Sequence, residues 1–289
     1  MTGKDTTAVR TGKAGPRKNW RRPRLMVPAA AVVVWVVAVL LVPPLMPYSA
    51  TESSTGDRLQ APSGAHWLGT DDFGRDILVR LLTGGRTSLE VGLSVTVAAA
   101  LLGTAVGICA GYLKGLRGVL MRINDGVMAF PAVMLAIGVI AVIGAGQWQT
   151  AAVLAVVYAP LFVRVAYGET LSLSRRKFIE SAVLAGVSRP MIMIRHILPN
   201  LMSAVVVQAT YVFATSMLLE ASLSFLGAGV QEPTPSLGGM INGGYQLIDI
   251  AWWMVVFPGV ALAILVLAVS LLGDALSDLM GRNTSGVSE

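Results

Sequence analysis

The residues with chemical potential are few, and their settings differ. Glu220 is the evident charge within a long apolar stretch, where a carboxylate is costly unless it meets water or a partner. It either lines a gate or path, or is held by hydrogen bonds from the chain around it. Gln208, Thr210, Tyr211, Thr215 and Ser216 add polar groups to the same stretch. That makes it the best candidate to line a path, although Ser and Thr often bond only their own helix or glue neighbouring helices. Asp71, Asp72, Gly74, Arg75 and Asp76 form a second, charged group. Its carboxylates suit a metal in principle, but the nearby arginines favour a structural or docking role. Arg122 and Asp125, three apart, are placed to pair on one helical turn, and Arg164 to snorkel at a membrane boundary.

Other chemistry is missing from the sequence. Cys109 is the sole cysteine, and His66 and His196 lie far apart, so no Cys/His zinc spacing exists and no metal site is expected. No G-x-x-x-x-G-K-[ST] segment is present to cradle nucleotide phosphates. No nucleophile–base arrangement appears either, so no catalytic residue is assigned and the chain is not expected to be an enzyme.

The elements that must position these residues follow from composition. Only 13% of the 289 residues are charged, against roughly 25% in soluble domains, and mean hydropathy is +0.69. The solvent around much of the chain is therefore hydrocarbon. Six stretches approach the roughly 20 apolar residues that a span needs: 25–46, 88–112, 127–143, 148–167, 201–226 and 252–273. Each must be helical, because lipid leaves an open backbone unsatisfied. The expected fold is an all-α integral membrane protein with six transmembrane helices. The first stretch is too long for a signal-peptide core and reads as an uncleaved anchor.

Charge placement orients the spans. With the N-terminus cytoplasmic, 18 of the 22 Lys and Arg residues fall on the cytoplasmic side. Arg58, Arg75, Arg80 and Arg86 are the remaining four, in the first outer loop, and the outer segment 227–251 has none. Both termini are thus expected inside. The net charge of +6 follows from topology and anionic lipid, without nucleic acid as a partner.

The expected organisation is a basic cytoplasmic tail over 1–24, a first transmembrane helix over 25–46 and an extracytoplasmic loop over 47–87. A core membrane domain over 88–273 follows, then a cytoplasmic tail over 274–289. Within the outer loop, Asp76 to Leu82 is amphipathic and is expected to lie on the membrane surface. Ala99, Gly103, Gly107, Gly111 and Gly115 recur every four residues, giving one helix face that a second backbone approaches closely.

The segment 174–200 is longer than a link between spans requires. Arg175 to Ala185 is expected to form a helix ended by Gly186. Ser188 is the expected N-cap of a second helix with Pro190 in its first turn, and Pro199 marks the start of span five. The result is a helix–turn–helix with apolar side chains and a basic rim.

Glu180-Ser181-Ala182, followed by Gly186 and by Leu198-Pro199, resembles the EAA loop of ABC importer permeases. The chain departs from that pattern at Ser181 and at His196, where Ala and Ile are usual. HWLGTDDFGRD (66–76), ASLSFLGAGVQEPTPSLGGM (221–240) and the final stretch 252–278 resemble the second permease of dipeptide, oligopeptide and nickel importers, as do Arg122, Asp125 and Pro131. The resemblance implies a type I importer permease fold, with Glu180, Ser181, Ala182, Gly186, Ser188, Pro190, Leu198 and Pro199 coupling to an ATPase. It further implies a second homologous permease, two cytoplasmic ATPase subunits that carry ATP and Mg, and an extracytoplasmic substrate-binding protein. No cofactor is expected in this chain itself. Peptide is the leading substrate, with nickel or another small solute of the same family as the alternative. A secondary transporter or channel would more often show paired intramembrane charges or broken helices.

Overall fold

The computed structural model describes residues 21–285. Of the tail expected over 1–24, residues 1–20 lie outside the described residues. Apart from one isolated bridge between Thr70 and Asp76, the regular structure among the described residues is helical. The helices are α1 (Arg21–Leu41), α2 (Ile77–Tyr112), α3 (Lys114–Met128), α4 (Ala132–Ile143) and α5 (Gln147–Leu173). They continue with α6 (Lys177–Leu184), α7 (Arg189–Phe225), α8 (Leu237–Tyr245) and α9 (Trp253–Ser285). Among the described residues, five helices are long and apolar enough to cross a membrane, or six if α3 and α4 count as one broken span.

That broken span corrects the expectation of a straight third helix over 127–143. α3 and α4 meet at 92°. Pro131 lacks an N–H and disfavours helical geometry at Phe130, so the chain turns there and restarts at Ala132. α4 has only 12 residues and is apolar on nearly every side.

A second correction concerns residues 76–82, which do not form a separate amphipathic surface helix. Asp76 caps α2 by accepting the Val79 N–H at 3.0 Å, and the helix continues without a break to Tyr112. At about 1.5 Å per residue, 36 residues span about 54 Å, well beyond a hydrocarbon core of about 30 Å. A helix of that length exceeds the apolar slab. Ile77, Val79, Leu81 and Leu82 are buried against α1, α8 and the start of α9.

The centre of the molecule is the pair α2–α5, which the small-residue face makes possible. Gly103 lies against Ala159 and Phe162, Gly107 against Val163 and Ala166, and Gly111 against Thr170. Both helices advance together, so they run parallel. A Cβ at position 107 would come within 2.6 Å of the Val163 carbonyl oxygen. Gly115, expected on the same face, instead falls in α3 and faces open space. α7 packs on α2 and α5 from one side and carries α9 on the other. A single apolar core runs from Val91 and Val95 of α2 through Leu154 and Phe162 of α5 to Ile197, Leu201 and Val212 of α7.

Candidate functional site

Three regions hold the residues singled out by sequence. The first is the loop between α5 and α7. α6 ends in a Schellman turn, with Val187 N–H donating to the Ala182 carbonyl at 3.1 Å and Gly186 N–H to Val183 at 3.0 Å. Gly186 has φ +78°, a left-handed conformation that a side chain would strain by about 1–2 kcal/mol. Only Ile179 of α6 is buried. Glu180, Ser181, Gly186, Ser188 and Pro190 are exposed, while Ala182 is half-buried against the core. Val183 and Leu184 are 53% and 84% exposed on the same arm. Large apolar side chains presented beside Arg175, Arg176, Lys177 and Glu180 make a surface suited to a protein partner.

The second helix of this loop differs from expectation. Ser188 makes no side-chain cap, and no break separates the helix from span five. Arg189–Phe225 is one continuous helical rod of 37 residues. Residues Ile192–Ile197 widen into a π turn, in which the Leu198 N–H reaches the Met193 carbonyl. Pro199 has no N–H for the usual bond, and the wider turn absorbs its ring instead of breaking the helix. Leu198 and Pro199 therefore belong to the shaft of α7, not to the exposed arm.

The third expected group, on α7 itself, divides in two. Tyr211 and Leu218 are exposed, and Gln208 and Thr215 are partly exposed, all along one face at helical spacing. With Ser270 and Asp274 of α9, Tyr211 and Thr215 line a groove of about 200 Å³. Ser216 and Glu220 turn the other way and are fully buried. Glu220 accepts hydrogen bonds from Ser88 of α2 and Ser224 of α7, each at 2.8 Å. Ser224 in turn accepts the Val230 N–H at 3.0 Å. Glu220 thus joins α2, α7 and the outer segment after α7. Of the two roles open to it from sequence, the geometry matches the carboxylate held by its surroundings.

The outer loop forms a charged network centred on Asp71. Asp71 Oδ1 accepts the N–H groups of Phe73 and Arg75, both at 2.9 Å, and Oδ2 pairs with Arg75 Nε at 2.6 Å and Arg80 Nε at 3.4 Å. Glu232, from the segment after α7, closes the network. Its carboxylate lies 2.8 Å from Arg75 Nη1 and 2.7 Å from Arg80 Nη2. Asp76 caps α2 and lies 2.9 Å from His66 Nδ1. Gly74 has φ +76°, and a Cβ there would overlap the Ser54 carbonyl. Trp253 anchors the loop to α9 by donating to the Thr70 carbonyl at 3.0 Å. Burial, and then the Asp71 carboxylate, push the Asp72 carboxyl above its ordinary value. Asp71 and Asp76 are spent on guanidinium, imidazole and backbone partners. Among the described residues, no group of three His, Cys, Asp or Glu residues is arranged to hold a metal ion.

Sequence reasoning missed several partners. Glu232 lies in a segment, 227–251, without Lys or Arg, so its counter-charge had to come from elsewhere in the chain. Arg80 was grouped with a surface helix and is 2% exposed. Asp125 pairs with Arg164 of α5 at 3.2 Å, not with Arg122. Arg164 therefore pairs across helices, in an exposed ion pair between α5 and α3.

An all-helical membrane subunit with a long helical loop between two spans, and with that loop's second arm running straight into a span, is the architecture of a type I ABC importer permease. Residues 100–286 match the family described as binding-protein-dependent transport system inner membrane component, and the chain belongs to that family. It is a multi-pass permease subunit of an ABC importer. Among its relatives, it is 36% identical to the dipeptide transport system permease protein of Alkalihalophilus pseudofirmus, over 90% of this chain and 86% of that one. It is 40% identical to the glutathione transport system permease protein of Pectobacterium atrosepticum, over 91% and 89% of the two chains. Its fold matches a chain of the inward-facing MetNI methionine ABC transporter with TM-score 0.56 and 20% identity, covering 70% of this chain and 96% of that one.

Proposed function

We propose that this chain forms one half of the membrane pathway of a peptide importer, with di- and oligopeptides as substrates. The relatives named for dipeptide and for glutathione, itself a short peptide, support that substrate class. The working complex in this reading adds a second, homologous permease, two cytoplasmic ATPases that hold ATP and Mg, and an extracytoplasmic substrate-binding protein. The termini and the 174–200 loop lie in the cytoplasm, following the distribution of Lys and Arg. Trp67 and Phe73, both exposed on the loop before α2, supply aromatic anchors for the binding protein.

The observation that carries the mechanism is the unbroken helix Arg189–Phe225. The arm formed by Glu180 to Pro190 docks into the ATPase, and ATP-driven closure of the two ATPases displaces it. α7 has no hinge at Pro199, so the displacement reaches Gln208, Tyr211 and Thr215 as a rigid-body movement. Glu220, bonded to Ser88 and Ser224, holds the far end of the same rod to α2.

Reconstitution with the partner subunits tests this reading. Glu180→Lys reverses a charge on the docking arm, and Gly186→Trp projects a ring from it into open space. Both variants should insert normally while ATP-driven peptide uptake falls about tenfold or more, the scale of losing one hot-spot contact. Unchanged uptake in both removes the docking assignment. Uptake of nickel but not of dipeptides removes the substrate assignment.

A further inference from the structure

We infer that the chain carries a site for an anionic phospholipid between α2 and the start of α7. A groove of about 440 Å³ lies there, lined by Thr104, Ala105 and Cys109 of α2 and by Ile194, Leu198 and Met202 of α7. That volume falls within the range of pockets that hold small ligands, about 300–1,000 Å³. The walls are almost wholly apolar, and Ile194 and Met202 stand exposed at the rim. The groove sits at the C-terminal end of α2 and the N-terminal end of α7, on the membrane face that bears the 174–200 loop.

Charge identifies the occupant. Arg195 falls between the lining residues Ile194 and Leu198, and Lys114 lies five positions beyond Cys109, where α2 gives way to α3. Both are exposed, and neither enters an ion pair among the described residues. Neither contributing stretch, 91–124 or 181–219, contains a single Asp or Glu. An apolar slot whose lining residues adjoin exposed cations along the chain fits an acyl chain below a phosphate head group. The groove wall includes Met193 and Ile194 of the π turn, so the lipid braces the point where the exposed arm joins the transmembrane rod.

Cys109, the only cysteine in the chain and only partly exposed, reports on occupancy. The assembled, delipidated transporter is treated with N-ethylmaleimide, and alkylation of this subunit is followed by intact mass. Dioleoylphosphatidylglycerol should protect Cys109 at about thirtyfold lower concentration than dioleoylphosphatidylcholine, the scale expected from two basic residues at a membrane surface. Lys114→Gln with Arg195→Gln should erase that preference while protection by either lipid persists at high concentration. Ala105→Trp should protect Cys109 with no lipid added. Equal protection of the unsubstituted protein by the two lipids overturns the inference. So does a Cys109 that stays unreactive in the delipidated complex, which would assign the groove to a protein helix.

Discussion

Removing Glu232 should loosen the junction between the loop before α2 and the segment after α7, by an amount that the exposure of its partners sets. The Arg80 and Arg75 side chains are 2% and 10% exposed, and the Asp71 side chain that they share is 4% exposed, whereas that of Glu232 is 57% exposed. Breaking a fully buried ion pair costs about 3–5 kcal/mol, because the abandoned charge stays out of water. A fully exposed pair is worth about 0–1 kcal/mol. Asp71→Asn belongs at the buried end: it removes the only buried carboxylate facing two guanidiniums and places an amide N–H₂ against Arg75. Glu232→Gln belongs between the limits, at about 1–2 kcal/mol, since water reaches the carboxylate but not Arg80 behind it. The assay is thermal unfolding of the reconstituted subunit, read beside proteolysis of the segment 227–236 from the outer side. Glu232→Gln should lower the midpoint modestly and speed cleavage of that segment, and Asp71→Asn should lower the midpoint severalfold more. The double variant should cost more than the sum of the two, because each carboxylate still compensates the shared guanidiniums when the other is lost. Additive effects, or a Glu232 variant as damaging as the Asp71 variant, would refute the view that the four side chains work as one unit.

Other outcomes follow from the packing and topology. Gly107→Leu should abolish accumulation of folded protein because α5 backbone occupies the space, while Gly115→Leu, which meets nothing within 4 Å, should be tolerated; membrane yield and detergent monodispersity decide. In a Cys109→Ser background, Glu52→Cys and Asp249→Cys should react with an impermeant thiol reagent from outside, and Leu184→Cys only from inside; the reverse pattern would overturn the proposed orientation. Glu220→Ala should destabilise the membrane domain by about 2–5 kcal/mol, leaving two buried serine hydroxyls without their acceptor. Ser88→Ala alone should cost about 1 kcal/mol, and equal effects would mean that Glu220 has another partner.

Much of the architecture was legible without coordinates, because lipid imposes simple rules. Apolar runs of sufficient length had to be helices. Gly103, Gly107 and Gly111, spaced by four, had to let another helix in. Gly186 had to end α6, since a left-handed residue closes the Schellman turn. These are local requirements of backbone geometry and solvation, and each is written within a few residues of where it acts.

Partner choice was decided only by the tertiary structure. Arg80 looked like one cation on a surface helix until α2 extended far enough to place it between Asp71 and Glu232, which are 161 residues apart in the chain. Asp125 had a plausible partner one turn away in Arg122, yet the 92° bend between α3 and α4 presents it to Arg164 of α5. The polar residues of α7 shared one stretch, but packing against α2 turned Glu220 inward and left Tyr211 and Thr215 facing out. Pro199 looked like a boundary, and a π turn made it part of a continuous rod. Charge and hydrogen-bonding capacity are readable residue by residue, whereas what satisfies them depends on which helices meet, and at what rotation.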